Sequence, residues 1–239
     1  MKKRLTLFVL AIFISLNVFS QEKKIVVVFS AGESSPVGEF ASGDANDETA
    51  GFAKSGVNFN ATLSVPVWNK IGLIAEFISE KNQMDALSFD KQTRYYYYNS
   101  NLISQSTFTS WTCSSALIGF YGEIPMCDID KWYFDYRLLG GFAKTSTPQM
   151  KIKISEGALV SEGIMQSESA DAISYLLGFG FRRNICKSFC VRVGADYFST
   201  KPKFADNTLT INNKNVVVYN SYAQPVNTFN LDLGIGYRF

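Results

Sequence analysis

The chain has 239 residues, 15% of them aromatic, with 23 Lys and Arg against 21 Asp and Glu and no His. Three of the cations, Lys2, Lys3 and Arg4, stand at the extreme N-terminus, so the rest of the chain is near neutral and carries no basic footprint for nucleic acid. The absence of His removes Ser-His-acid hydrolysis and His-dependent metal sites together.

Behind the three cations runs an apolar stretch, Leu5 to Phe19, and Val18 and Ser20 are small enough for cleavage before Gln21. This is the pattern of an export signal over residues 1–20. The run is too short to span a bilayer as a helix, and no second long apolar stretch follows. With Gln21 rather than Cys at the first mature position, a lipid-modified N-terminus is not expected. Residues 21–239 show no Pro-rich or Gly/Ser-rich divide and no helical stripe, so one all-β domain is expected.

Lys24 to Ala31 is strand-like and apolar on both faces, and a Gly-, Ser- and acid-rich connection follows to Gly56. From there the alternation is clean. Val57, Phe59, Ala61, Leu63 and Val65 oppose Asn58, Asn60, Thr62 and Ser64; after the tight turn at Pro66 to Asn69, Ile71, Leu73, Ala75 and Phe77 oppose Gly72 and Glu76. Glu80 to Ser106 reads as a long polar connection in which Tyr95 to Tyr98 extend a strand above the headgroups. Thr107 to Gly122 is a strand of ambiguous register, with Trp111, Leu117 and Tyr121 on one face and Ala116, Ile118 and Phe120 on the other, which a bulge would reconcile.

After a short turn at Glu123 to Asp130, Trp132, Phe134, Tyr136, Leu138 and Phe142 oppose Asp135, Arg137, Leu139 and Gly141. Thr145 to Ala170 is a third long connection with strand-like pieces around Lys151 to Ile154. Ile173 to Phe181 and Phe189 to Tyr197 alternate again around a tight turn at Asn184 to Lys187, and Thr200 to Pro225 is a fourth long connection with a small hairpin expected at Val216 to Tyr219. The last strand, Thr228 to Phe239, is apolar at every odd position and polar or Gly at every even one. Eleven tilted residues cover roughly 25 Å, the height of a membrane barrel's apolar band. Eight strands, with long and short connections in strict alternation, predict an eight-stranded antiparallel up-and-down transmembrane β-barrel with short periplasmic turns and long external loops. Trp132, Tyr133, Tyr197 and Tyr237 near strand ends would form its aromatic girdle.

The chain as a whole resembles the small eight-stranded outer-membrane β-barrel proteins of Gram-negative bacteria, the porin-like barrel domains. The resemblance rests on the N-terminal signal, on PVGEF (Pro36 to Phe40) and GFAKSG (Gly51 to Gly56) after the first strand, and on the terminal GIGYRF (Gly234 to Phe239). It implies recognition of the last strand by the outer-membrane insertion machinery, with Tyr237 and Phe239 at the matching positions. The surroundings expected with it are outer-membrane lipid and lipopolysaccharide, around a monomer without cofactor.

Glu76, Asp135, Asp196 and Asp232 fall on the inward faces with Arg137, Arg182, Arg192 and Arg238. Four acids against four guanidinium groups predict a paired network filling the lumen. The rival readings are a narrow porin lined by the same charges and a soluble lipocalin-type barrel with its apolar face inside. No catalytic constellation is found. Asp44, Asn46, Asp47 and Glu48 miss the EF-hand spacing, with Thr49 where Gly belongs and Ser55 where the closing Glu belongs, and read as a solvated loop. Of the three pairings open to Cys113, Cys127, Cys186 and Cys190, a Cys127–Cys186 bridge between neighbouring short turns is expected, with Cys113 a small mid-strand residue.

Overall fold

A computed structural model describes residues 25–239 except 45, 69, 97–101, 127–131, 157–158, 206, 212–213 and 220. The expected signal, residues 1–20, lies outside the described residues. In chain order the elements are β1 (Val26–Pro36), β2 (Ala53–Pro66), β3 (Ile71–Met84), α1 (Ala86–Tyr96), β4 (Leu102–Phe108), β5 (Trp111–Pro125), β6 (Trp132–Ser146), β7 (Met150–Glu156) and β8 (Leu159–Met165). There follow β9 (Ser169–Asn184), β10 (Phe189–Thr200), β11 (Lys203–Phe204), β12 (Asn207–Ile211), β13 (Lys214–Tyr219), β14 (Tyr222–Ala223) and β15 (Val226–Arg238).

Eight strands close into an antiparallel barrel in the order β1-β15-β10-β9-β6-β5-β3-β2. The seam is continuous, from Val26 opposite Arg238 to Pro36 opposite Thr228. The first strand is apolar on both faces because Val26 and Val28 point inward, where they pack with Cys190. Apart from these and one apolar cluster inside the lumen, the alternation sorts as a bilayer demands, apolar side chains out and polar ones in. Phe29, Ile173 and Ile235 are 66%, 76% and 65% exposed, whereas Asn58, Ser174 and Thr228 are wholly buried. That sorting overturns the lipocalin-type reading, which needs the opposite faces inside.

The expected bulge in the fifth strand is absent. β5 pairs with β3 from Gly122 opposite Ile71 to Trp111 opposite Asn82 without a register shift. Trp111, Leu117 and Tyr121 face inward because this side of the lumen is itself apolar, packed from Ile74, Ile78, Leu117, Leu139, Leu176 and Phe198 among others.

The long connections are folded. β13, β12, β8, β7 and β4 form a second, five-stranded sheet beyond the barrel. The strand-like piece at Lys151 to Ile154 lies in β7, and the small hairpin is β12 and β13. The region from Glu80 to Ser106 is corrected most: β3 continues to Met84, and Tyr95 and Tyr96 end a helix rather than extend a strand, Tyr97 and Tyr98 lying outside the described residues. α1 has only a weak apolar stripe, and its start is set by capping. The Asp85 carboxylate accepts the Ser88 N–H at 3.1 Å and the Ser88 hydroxyl at 2.8 Å. Phe89 then stands edge-on to both Phe52 and Phe108, and Asp90 accepts from the Ser104 hydroxyl and the Ser106 N–H.

Candidate functional site

The polar interior is built around Arg137, on β6. Its Nε donates to Asp196 Oδ1 at 3.0 Å and its Nη2 to Asp196 Oδ2, while Nη1 lies 2.9 Å from Glu76 Oε2. Arg192, on β10, donates from Nη2 to Asp135 Oδ1 at 2.9 Å and reaches Asp232 Oδ1 from Nη1 at 3.5 Å. Asp232 also lies 3.9 Å from Arg137 Nη2, so its carboxylate joins the two clusters. Each guanidinium fork grips a carboxylate through two nitrogens, which fixes orientation as well as charge.

Glycine makes these spans possible. Arg137 and Asp196 flank Gly178 in register, and Asp135 and Gly194 flank Gly180. A Cβ on Gly178 would run into Asp196 Oδ1 and come within 2.7 Å of Arg137 Nε; one on Gly180 would come within 2.5 Å of Arg192 Nη2. The guanidinium groups therefore lie across a bare lane on β9, which is what its alternate glycines provide.

Seven of the eight expected lumen charges join this network or the neighbouring Arg182–Glu123 pair. Arg182 sits nearer the short turns and binds Glu123 through two bonds of 2.7 and 2.8 Å, with its guanidinium 5.0 Å from the Tyr133 ring centre. Arg238 is half-buried and makes no ion pair among the described residues. Tyr133 thus faces Arg182 instead of joining a girdle, while Trp132 and Tyr237 remain exposed. Two acids escape the sequence reading because it places them in connections. Glu123 lies near the end of β5, in step with Gly119 and Tyr121, and Glu80 continues the even face of β3 beyond Glu76. Glu80 is buried without an ion pair among the described residues and accepts from Asn230 Nδ2 at 2.5 Å and the Thr228 hydroxyl at 2.9 Å. The interior is consequently more acidic than the expected balance of four and four.

Beyond this polar layer, at the end of the barrel that carries the long connections, the lumen is stoppered. Phe40 stands edge-on to Trp111 at 5.6 Å, and Phe204 packs on the same indole. Ala53 and Val226 complete the cluster. The Trp111 Nε1 donates to Gly51 O at 3.0 Å, and Gln224 Nε2 donates to Thr49 O at 2.7 Å, tying the connection between β1 and β2 into the mouth. In that connection Asp44 and Asp47 accept backbone N–H groups from Asn46 and Thr49, so both carboxylates organise turns. The Thr49 hydroxyl and N–H hold Asp47 below the usual carboxylate range. For Asp85, burial acts upward, but the Ser88 bonds and Lys54 outweigh it and its carboxyl lies below the usual range.

At the opposite end Tyr237 stands edge-on to Phe189 at 5.2 Å and to Phe239 at 4.9 Å, and the Phe239 N–H donates to Ile25 O. Cys186 is exposed with a free thiol, and Cys127, the partner expected for it, lies outside the described residues. Backbone N–H groups of Ser188 and Phe189 hold the Cys186 thiol below its ordinary range. Cys113 is buried and faces the lumen.

No protein-family model and no curated protein matches the chain. Among solved structures it is similar to the attachment invasion locus protein Ail of Yersinia pestis, at 17% identity and TM-score 0.43, over 92% of this chain and 100% of that one. It is similar to Neisserial surface protein A at 10% identity and TM-score 0.45, over 90% and 97% of the two chains. A major outer membrane protein of Thermus thermophilus matches at 12% identity and TM-score 0.44, over 92% and 100%. The resemblance is one of fold: eight antiparallel strands closed into a barrel, as in the small eight-stranded outer-membrane β-barrels.

Proposed function

We propose that the chain is an integral outer-membrane protein whose barrel is a sealed, non-catalytic mount for a folded external platform. The supporting observation is a lumen occupied along its length by the Arg137 and Arg192 clusters, the Ile78–Leu117–Phe198 packing and the Phe40–Trp111 stopper. Water and ions have no open column to follow through such an interior. Binding then belongs to the five-stranded sheet and α1, which stand clear of the membrane band. In this reading residues 1–20 direct export and are removed, the protein works as a monomer, and Tyr237 and Phe239 engage the insertion machinery while the barrel forms.

Planar-bilayer recording of the purified protein tests the seal. The expected trace stays at baseline, and a stable open level at single-molecule dilution would overturn the reading in favour of a narrow porin.

A further inference from the structure

The wall of the lumen formed by β15, β1, β2 and β3 carries a group of polar side chains that the guanidinium network does not serve. Asn58, on β2, stands directly opposite Glu80 on β3 and opposite Gly32 on β1, so one of its flanks is a carboxylate and the other is bare. Asn60 is the next inward residue of β2, about 7 Å further along the strand. Asn230 reaches the group from β15. Its Nδ2 donates to Glu80 Oε1 at 2.5 Å, as does the Thr228 hydroxyl at 2.9 Å. Asn58, Asn230, Glu80 and Asn60 are 0%, 1%, 2% and 4% exposed. Even so, Glu80 Oε2, Asn230 Oδ1 and both amide atoms of Asn58 and of Asn60 find no hydrogen-bond partner among the described residues. Buried polar atoms left in this way are rare in a folded protein, and here they gather on adjoining strands. Charge is unbalanced in the same place. Arg137 and Arg192 are shared by Glu76, Asp135, Asp196 and Asp232, Arg182 is taken by Glu123, and no cation among the described residues pairs with Glu80.

We propose that Glu80, Asn58, Asn60 and Asn230 form a binding site for a monovalent alkali cation, enclosed in the lumen when the barrel closes. Carboxylate and amide oxygens are the ligands that hard cations take. Glu80 Oε2 and Asn230 Oδ1 belong to two groups already joined by a hydrogen bond, so they lie close together. Asn58, opposite Glu80 with Cβ atoms about 5 Å apart, brings a third oxygen to the same place. Glu80 supplies the one buried carboxylate not committed to a guanidinium. A single positive charge therefore makes the site neutral, whereas a divalent ion would leave an uncompensated charge beside the Arg137 and Arg192 clusters. Water on the ion completes its shell and accepts from Nδ2 of Asn58 and Asn60. Without an ion the same group would hold a bare carboxylate away from water among unmet amides. Retention of the ion rests on the sealed-barrel reading above, and its recognition by these oxygens does not.

The test folds the full mature chain into zwitterionic detergent micelles in radiolabelled sodium chloride and desalts it into choline chloride. Label should remain in equimolar ratio to the chain. In urea titration at equal ionic strength, sodium at about ten times its dissociation constant should raise the folding equilibrium constant about tenfold over choline. Glu80→Gln, which keeps an oxygen for Thr228 and Asn230 but removes the charge, should retain no label and lose the sodium dependence. Asn58→Asp, which adds a second carboxylate, should retain radiolabelled calcium instead. Equal stability of the wild type in sodium and choline chloride, with no label retained, would overturn the site. Full retention by Glu80→Gln would overturn its assignment to that carboxylate. Sodium-dependent stability with the label lost on desalting would leave the cation site standing and overturn the seal instead.

Discussion

Arg137→Met removes the cation around which the lumen is organised while leaving a side chain of similar length. Arg137 is 2% exposed, and the carboxylates it serves, Glu76 and Asp196, are 0% and 1% exposed at the side chain. Removing one partner of a buried ion pair strands the other, at roughly 3–5 kcal/mol. Here two carboxylates are stranded together, whereas Asp232 keeps Arg192, so the upper part of that range is expected. The comparison that isolates charge is the triple variant Arg137→Met, Glu76→Gln and Asp196→Asn, which neutralises the stranded acids at nearly constant volume. It should recover most of the loss, to within about 1–2 kcal/mol of wild type, because the remaining amides carry only the cost of imperfect hydrogen bonding. Urea titration of folding into lipid vesicles, followed by Trp fluorescence and heat-modifiable migration, measures both. A single variant within about 1 kcal/mol of wild type would mean that the lumen charges are solvated, and the sealed-barrel reasoning would fail with it.

Gly178→Ala should cost about 1–3 kcal/mol in the same titration, since its Cβ meets Asp196 and Arg137, whereas Gly140→Ala, with only Ser174 O at 3.9 Å, should be near neutral. Asp85→Ala should remove about 1 kcal/mol of capping from α1, seen as faster amide exchange confined to that helix. Because the folded state lowers the Asp85 pKa, its contribution is fully present above the ordinary carboxylate value and is lost as pH falls through the lower folded value; acid should therefore speed exchange in α1 of the wild type but not of Asp85→Ala. In a membrane-impermeant maleimide assay on intact and permeabilised cells, Cys186 should react only after permeabilisation, at a pH midpoint below that of free cysteine, and Cys113 should stay unlabelled. Labelling of Cys186 on intact cells would reverse the orientation argued here.

Most of the barrel is legible in the sequence because its strands obey a single rule, one face for lipid and one for the interior. The rule carries Arg137, Arg192, Asp135, Asp196 and Asp232 to the lumen correctly. It falters where the interior is apolar, so Trp111, Leu117 and Tyr121 compete with Ile118 and Phe120 for the outside. Only packing against Ile78, Leu139 and Phe198 decides between them, and those residues are distant in sequence. Glu80 and Glu123 pass for loop residues because acids near a strand end look like its termination. Their cross-barrel partners, Asn230 and Arg182, cannot be read locally. Helix α1 is hidden for a related reason, since it is held by a cap at Asp85 and by two aromatic contacts of Phe89 rather than by a long apolar stripe.

The wiring of the lumen has a consequence for how the barrel comes to exist. Its bonds join partners far apart in the chain, 59 residues for Arg137 with Asp196 and 150 for Glu80 with Asn230, and several of the acceptors and donors arrive only with the final strand. A sheet with seven strands in place would still present open edges, and the groups meant for Asp232, Asn230 and Thr228 would still be wet. Meeting of β1 and β15 therefore completes the backbone ladder and dries the interior in one event. The last step of assembly is therefore cooperative: closing the ladder and adding the Asp232, Asn230 and Thr228 contacts happen together.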